Sequence, residues 1–344
     1  MTDLWTYLKN TDKKILLYGT GNGADKILDE LLLRGITVSG VYASNDFVRN
    51  RTFRGFKVLS FDNARQMYGD FISLVCFGTQ LPSVIGNIKQ IAKISELYAP
   101  DVPVVDRDSI FDIDYARKNK EKLVAAYNLL ADNMSKKVFE NIVMYKLTGK
   151  LDYLFSIETP KEETYRLLNI GNNEVYADLG AYTGDTIAEL LEYAGNYKGI
   201  IAAEPDLKNY KKLCLNTENL KNIACHNVCI SKESGEMQFA MNSGRNSVVG
   251  KGNATVKTVN IDTLLCDTDV TFIKMDIEGQ EKNALLGGEK VLSEKRPKLN
   301  IAAYHRNEDL FELPILINEI NPNYKIYMRH HPYIPAWDTN FYIV

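Results

Sequence analysis

Apolar residues along this chain fall into short β-branched runs, separated by stretches in which they recur every three or four positions. Between residues 14 and 105 the runs "KILLYG", "ITVSGVY", "LVCFG" and "SELYA" alternate with helical patterns over "ADKILDELLLRG" and "SVIGNIKQIAKI". Strands that alternate with crossover helices form a parallel sheet. From about 112 to 168 the rhythm changes to helices with mixed charged faces, "YARKNKEKLVAAYNLLADN" and "SKKVFENIVMYKLTGK", and Ser135 is placed to cap the second. A second series then runs "EVYADLG", "TIAELLEYAG", "GIIAAEP", "LKNYKKLCLN", "ACHNVCI", "TFIKMD", "QEKNALLGGEKVL", "KLNIAAY" and "DLFELPILINEI". It closes on "YKIYMRH" and "NFYIV", joined by a turn containing proline. The pattern predicts an α/β protein with two Rossmann-like, doubly wound sheets: a first domain over 1–110, a helical linker over 111–168 and a second domain over 169–344.

A length of 344 residues allows two domains that each bury a sizeable core. The net charge of −3 lacks the basic excess of a nucleic-acid-binding protein, so no nucleic-acid partner is expected. The five cysteines lie in apolar stretches without the paired spacing of a zinc site, and read as reduced thiols. Neither a leader pattern nor an uncharged run of membrane-spanning length is present, and the expectation is a cytoplasmic protein with no membrane partner. Composition leaves the oligomeric state open.

The segment "DLGAYTGD" (178–185) follows a strand run and precedes a helix. Gly180 and Gly184 let backbone approach a ligand without a Cβ, and the helix beginning near Thr186 directs its first amides there. The next strand ends at Glu204, and 204 − 178 = 26 positions, close to the spacing of an acid that accepts hydrogen bonds from ribose hydroxyls. The leading acid suits an amino-bearing or cationic ligand better than a phosphate. S-adenosylmethionine, with its ribose, ammonium and sulfonium, meets these demands.

Residues from about 125 to 344 resemble the FkbM family of S-adenosylmethionine-dependent methyltransferases. The resemblance is carried by "EVYADLGAYTGDT", "AAEPDLKNYKKL", "VNIDTLL", "FIKMDIEGQEKNALLGG" and "PKLNIAAYHRNEDLFELP". It implies a class I methyltransferase sheet ending in an antiparallel hairpin, and methyl transfer to a hydroxyl of a sugar, glycan or secondary metabolite. Asp178, Gly180 and Glu204 are by resemblance cofactor contacts. Ala181, Tyr182, Gly184, Asp185, Thr186 and Pro205, on the same loops, and Asp276, at the end of the fourth strand, are further candidate cofactor contacts.

Displacement at a sulfonium is in line, so the acceptor belongs beyond the methyl group, near the ends of the fourth and fifth strands, "FIKMDIEG" and "NIAAYHR". A hydroxyl needs its proton taken, and His305, whose ordinary pKa lies near neutrality, is the candidate base. Asp276 and Glu278 read as orienting groups or, with His305, as ligands for Mg²⁺ or a similar divalent ion. Lys274 is weighed evenly between catalysis and a structural ion pair. Arg306, which adjoins the candidate base, is with His305 a candidate substrate contact. Within "NSGRNSVVGKGN" (242–253), a mobile loop or a solvated hairpin, Arg245 and Asn246 are candidate substrate contacts. His330 and His331, before Pro332, read as turn residues. An amine acceptor remains the alternative to a hydroxyl.

"YGTGNGAD" places Gly19, Gly21 and Ala24 after a strand and before a helix, matching the dinucleotide fingerprint in its G/A form, with Gly19, Gly21, Asn22 and Gly23 as the candidate nucleotide loop. The expected acid is missing: the second strand ends at Tyr42–Ser44, and Asp46 comes later. "GVYASNDFVRNRTFRGFKVLSFDNA" resembles the N-terminal domain of PglD-type sugar acyltransferases, which implies a nucleotide-sugar ligand. Three uses follow for this domain: binding a nucleotide-sugar or other phosphate group, presenting the acceptor, or packing alone. An NAD-dependent sugar-modifying enzyme and a nucleotide-sugar-binding scaffold are the competing readings of the whole chain.

Overall fold

A computed structural model describes residues 2–44, 48, 51–105, 109–240, 248–249 and 254–344. The first sheet is built from β1 (Lys14–Tyr18), β2 (Gly40–Ala43), β3 (Thr52–Phe53), β4 (Phe56–Ser60), β5 (Phe71–Val75) and β6 (Glu96–Tyr98), in the order β3-β4-β2-β1-β5-β6. All its pairings are parallel except the short β3–β4 hairpin. β1, β2 and β5 are almost wholly buried and apolar, as strands covered on both faces must be.

The second half adds β7 (Val175–Leu179), β8 (Gly199–Ala203), β9 (Ile223–His226), β10 (Cys229–Ile230), β11 (Gly235–Ala240), β12 (Val248–Val249), β13 (Ala254–Val259), β14 (Phe272–Met275), β15 (Lys298–Ala302), β16 (Ile326–His330) and β17 (Thr339–Ile343). Seven of these form the main sheet, β16-β17-β15-β14-β7-β8-β9. Numbered within that sheet the order is 3-2-1-4-5-7-6, with the last-formed strand antiparallel to both neighbours. This is the class I methyltransferase arrangement, and its switch point lies between β7 and β14. The run "ACHNVCI" divides: β9 joins the main sheet, while β10 pairs with β13 in a separate sheet, β10-β13-β11-β12.

Helices of the 111–168 segment pack directly on the main sheet. Asp132, not Ser135, caps the helix Asn133–Thr148: its carboxylate accepts the Ser135 amide at 2.6 Å. Ser135 sits one turn in, where its hydroxyl accepts the Met328 amide at 2.9 Å. Asp132 also receives Arg329 at 2.7 Å, so the cap ties the helix to β16. One buried apolar cluster runs from Leu16 and Tyr42 through Phe139, Ile142 and Tyr145 to Leu299 and Phe341, which makes the core continuous across both sheets. Among the described residues no helix is long and apolar enough to cross a membrane.

His330 and His331 are not turn residues. His330 ends β16 opposite Thr339, and both imidazoles are buried, with His331 bonded to the Thr159 carbonyl and the Tyr342 hydroxyl at 2.7 Å each. A residue before proline is driven to extended backbone, which a strand end satisfies as well as a turn. The "NFYIV" run is the central member of the β16-β17-β15 trio, with Phe341 and Ile343 fully buried. Deleting 341–344 removes two large core side chains worth about 2–5 kcal/mol each, as well as their ladder bonds. The truncated protein is expected to be insoluble or to melt far below wild type; an unchanged melting curve would contradict this placement.

Candidate functional site

The loop after β7 closes over the carboxyl end of the sheet. Gly180 has φ +85° and Gly184, which caps the helix Asp185–Ala194, has φ +90°. The Gly180 and Ala181 amides both donate to the Ala203 carbonyl at 3.0 Å, binding this loop to the end of β8. Tyr182 also adopts a left-handed backbone, φ +47°, and its amide donates to Glu204 Oε2 at 2.9 Å. Glu204 Oε1 accepts the Asp206 amide at 2.9 Å. Burial pushes the Glu204 carboxyl up to about 7, against the lowering effect of those two amides.

Asp178 is fully buried beneath this loop, where it accepts the Thr186 hydroxyl and lies 3.4 Å from Lys274 Nζ. Lys274 also donates to the Gly180 carbonyl at 3.1 Å and stands 4.0 Å from Asp276. Burial works to lower the lysine's pKa, but Asp178 and Asp276 raise it well above its ordinary value. Lys274 is therefore a locked cation joining β14 to the glycine loop, and proton abstraction is not open to it.

β14 and β15 are neighbours, and the residues after them meet. His305, almost wholly buried, presents Nε2 to Asp276 Oδ1 at 3.3 Å and to Glu278 Oε2 at 3.7 Å. Its Nδ1 faces Glu281 Oε1 at 2.9 Å, which also accepts the Ile277 amide at 2.9 Å. Tyr304 donates to Asp276 at 3.1 Å. Burial alone would lower the His305 pKa, but Glu281, Glu278 and Asp276 raise it to about 10. The expectation that His305 titrates near neutrality is thus corrected: surrounding carboxylates hold it as imidazolium. Near neutrality instead stands Glu278, raised by burial to about 7 with Asp276 and Glu281 adding to the rise. Asp276, Glu281 and His305 place ligand atoms within 4.8 Å of one another, so Glu281 replaces Glu278 in the tightest set that metal chemistry would use.

These groups surround a cavity of about 340 Å³. Gly180, Tyr182, Asp185, Thr186, Glu204, Pro205, Lys274, Asp276, Glu278 and His305 line it, while Asp178, Ala181 and Gly184 stand behind its wall. Arg306 is turned to the Gly279 carbonyl at 2.9 Å and does not line the cavity. Arg245 and Asn246 lie outside the described residues; of the 242–253 segment, Val248–Val249 form β12 against β11. Sequence reasoning missed Glu281, Lys161, Trp337 and Asp338. Glu281 follows Glu278 by three positions in a loop-to-helix turn, a weak signal; the other three reach the cavity only through the sheet's final hairpin and the preceding helices.

In the first domain, Gly21 caps the helix Asn22–Leu33 and has open space where a Cβ would project. At Gly19 a Cβ would lie 2.7 Å from the Phe77 ring, and at Gly23 it would lie 2.4 Å from the Cys76 carbonyl oxygen. Gly19, a fingerprint glycine, and Gly23, which is not one, thus permit close packing of the β1 and β5 ends. β2 ends at Ala43, and Ser44 bonds the Tyr18 hydroxyl at 2.7 Å where a ribose acid would be sought. Asp46 lies outside the described residues.

The order of the sheet, the glycine loop at its switch point and the acid ending the second strand define a nucleoside-binding α/β transferase fold. Residues 178–333 match the family described as methyltransferase FkbM domain. Over 96% of its length and 90% of the other, the chain superposes on a crystal structure of methyltransferase FkbM from Methylobacillus flagellatus KT, at 23% identity and a TM-score of 0.77, which establishes a shared fold across both domains. Fibrillarin from Aeropyrum pernix, solved with natively bound S-adenosyl-L-methionine, matches at 11% identity over 54% of this chain and 74% of its own, at a TM-score of only 0.34. No curated protein sequence matches the chain.

Proposed function

We propose that the protein transfers a methyl group from S-adenosylmethionine to a hydroxyl of a sugar, glycan or secondary metabolite. The observation that carries this reading is the single cavity that joins the Gly180–Tyr182 loop and Glu204 on one side to Asp276, Glu278 and His305 on the other. The lining fits the cofactor. Glu204 spends one lone pair of each oxygen on a backbone amide and retains others for ribose hydroxyls, Val228 and Ile230 offer apolar surface to a base, and the buried Asn300 Oδ1, which lacks a hydrogen-bond partner, can accept from an ammonium. S-adenosylmethionine supplies, when bound, a methyl group made electrophilic by its sulfonium.

Glu278 is the group placed to take the acceptor proton: it lines the cavity, is partly exposed, and titrates near the pH at which it must work. The His305 imidazolium, fixed from behind by Glu281, holds Asp276 and Glu278 in place from Nε2. The acidic lining favours a second reading, transfer to an amine, which would arrive as a cation and lose its proton to the same carboxylate. If instead Asp276, Glu281 and His305 hold a divalent ion, a chelator abolishes turnover and added Mg²⁺ restores it; the Glu278 reading expects no response to chelation. The substrate class is tested by comparing small metabolites and glycans from cells with and without the gene. The expected result is loss of one methyl from an O-methylated compound, and unchanged profiles would overturn it.

A further inference from the structure

The first sheet ends where the cavity begins. After β5 the chain runs through Cys76–Gln80, and Thr79 exchanges two backbone bonds with Ile334 in the segment between β16 and β17, at 2.7 and 2.9 Å. Trp337 lies so close to Gly78 that a Cβ there would sit 2.4 Å from its ring. Gln80 and Val104 line the same cavity as Glu278, Tyr333 and Trp337. On the other flank, a Cβ at Gly279 would come within 2.9 Å of Val105. The close packing at Gly19 and Gly23 therefore has a consequence, since it fixes the β5 loop that carries Gly78–Gln80.

The charge of the lining is equally specific. Asp276, Glu278 and Asp338 contribute carboxylates to this end of the cavity. The cations in the described lining are already engaged: Lys161 with Glu189 at 2.9 Å and Asp338 at 3.6 Å, Lys274 with Asp178, and the His305 imidazolium with Asp276, Glu278 and Glu281. An incoming phosphate or carboxylate would meet acids in a partly desolvated space, where like charges cost most. The rings of Tyr333 and Trp337, 5.8 Å apart, instead offer a flat apolar surface with electron-rich faces.

We propose that the first domain is a wall of the acceptor site: Gly78–Gln80 and Trp337 form a rim that selects the acceptor, admitting uncharged or cationic molecules and rejecting those that bear phosphate or carboxylate. This deepens, and rests on, the methyl-transfer reading above. It gives the domain a use that requires no nucleotide of its own.

The test uses the full chain with methyl-labelled S-adenosylmethionine and a small-molecule and glycan extract, divided by anion exchange into retained and unretained fractions. Label is expected in the unretained fraction; label in the retained fraction, or in neither, overturns the proposal. Binding of S-adenosylhomocysteine is measured in parallel, and its absence would count against methyl transfer itself. With a fresh, untreated portion of the fraction that accepts label as substrate, Gln80→Ala on the exposed rim and Trp337→Ala are each expected to raise KM about tenfold with kcat and S-adenosylhomocysteine affinity little changed. Unchanged KM in both overturns the assignment. Gln80→Ala serves as the independent probe should Trp337→Ala disturb folding.

Discussion

Gly180→Ala is expected to lose most of its S-adenosylhomocysteine binding and to melt well below wild type. The new Cβ would lie 2.0 Å from the Asp276 carbonyl oxygen and 2.9 Å from its carbon, both backbone atoms that cannot rotate away. With φ at +85°, alanine also carries the strain of a left-handed conformation, about 1 kcal/mol or more. Relief requires moving either the glycine loop or the end of β14, and each holds one side of the cavity. The combined cost is expected to reach about 3 kcal/mol or more. Gly195→Ala separates the two effects: φ is +73°, but no atom lies within 4 Å of the added Cβ, so only the backbone strain remains. Equal melting and equal binding in the two variants would show that the contact with Asp276 does not matter.

Glu278→Gln is expected to lower turnover by about 10²- to 10⁴-fold, because it removes the proton acceptor while keeping size and hydrogen-bonding capacity. Wild-type kcat/KM should rise with pH through about 7 as Glu278 ionises, and fall toward about 10 as His305 loses its charge. The glutamine variant should lack the limb near 7. Stability carries the same signature with a definite sign. Both groups have folded pKa values above their ordinary ones, 4.5 for the glutamate and 6.5 for the histidine. The stability that each contributes is complete below its ordinary value and is lost as pH rises through the folded one. The melting temperature should therefore decline from about pH 4.5 to 7 through Glu278 and from about 6.5 to 10 through His305, with the upper part of the decline reduced in His305→Gln. A Glu278→Gln enzyme with wild-type turnover and an unchanged acidic limb would move the base elsewhere.

Much of the site was legible in the sequence because it is local. "DLGAYTGD" and "AAEP" are each continuous with the strand that presents them, and the ends of "FIKMD" and "NIAAYH" become neighbours once strand order is set by alternation alone. What the sequence did not reveal depends on contacts made across the fold. The protonation of His305 is decided chiefly by Glu281, 24 residues earlier in the chain and at the start of the helix Glu281–Leu286. Asp132 holds the cap while the Ser135 hydroxyl is engaged across the fold by the Met328 amide, and Arg329, 197 residues from Asp132, donates to both side chains. The buried state of His330 and His331 follows from β17 lying between β15 and β16, a sheet position that "TNFYI" cannot announce by itself. The bond between Thr79 and Ile334 left no mark in either segment's pattern.

The most direct measurement is a calorimetric titration of S-adenosylhomocysteine into the full chain and into Glu204→Ala. The account predicts one saturable site in the wild type, and a weakening by about 1.5 to 3 kcal/mol in the variant, the scale of hydrogen bonds to a charged group. That is roughly tenfold to a hundredfold or more in Kd. A wild-type chain that does not bind the ligand, or a Glu204→Ala chain that binds it with undiminished affinity, would contradict the assignment of this cavity to the methyl donor.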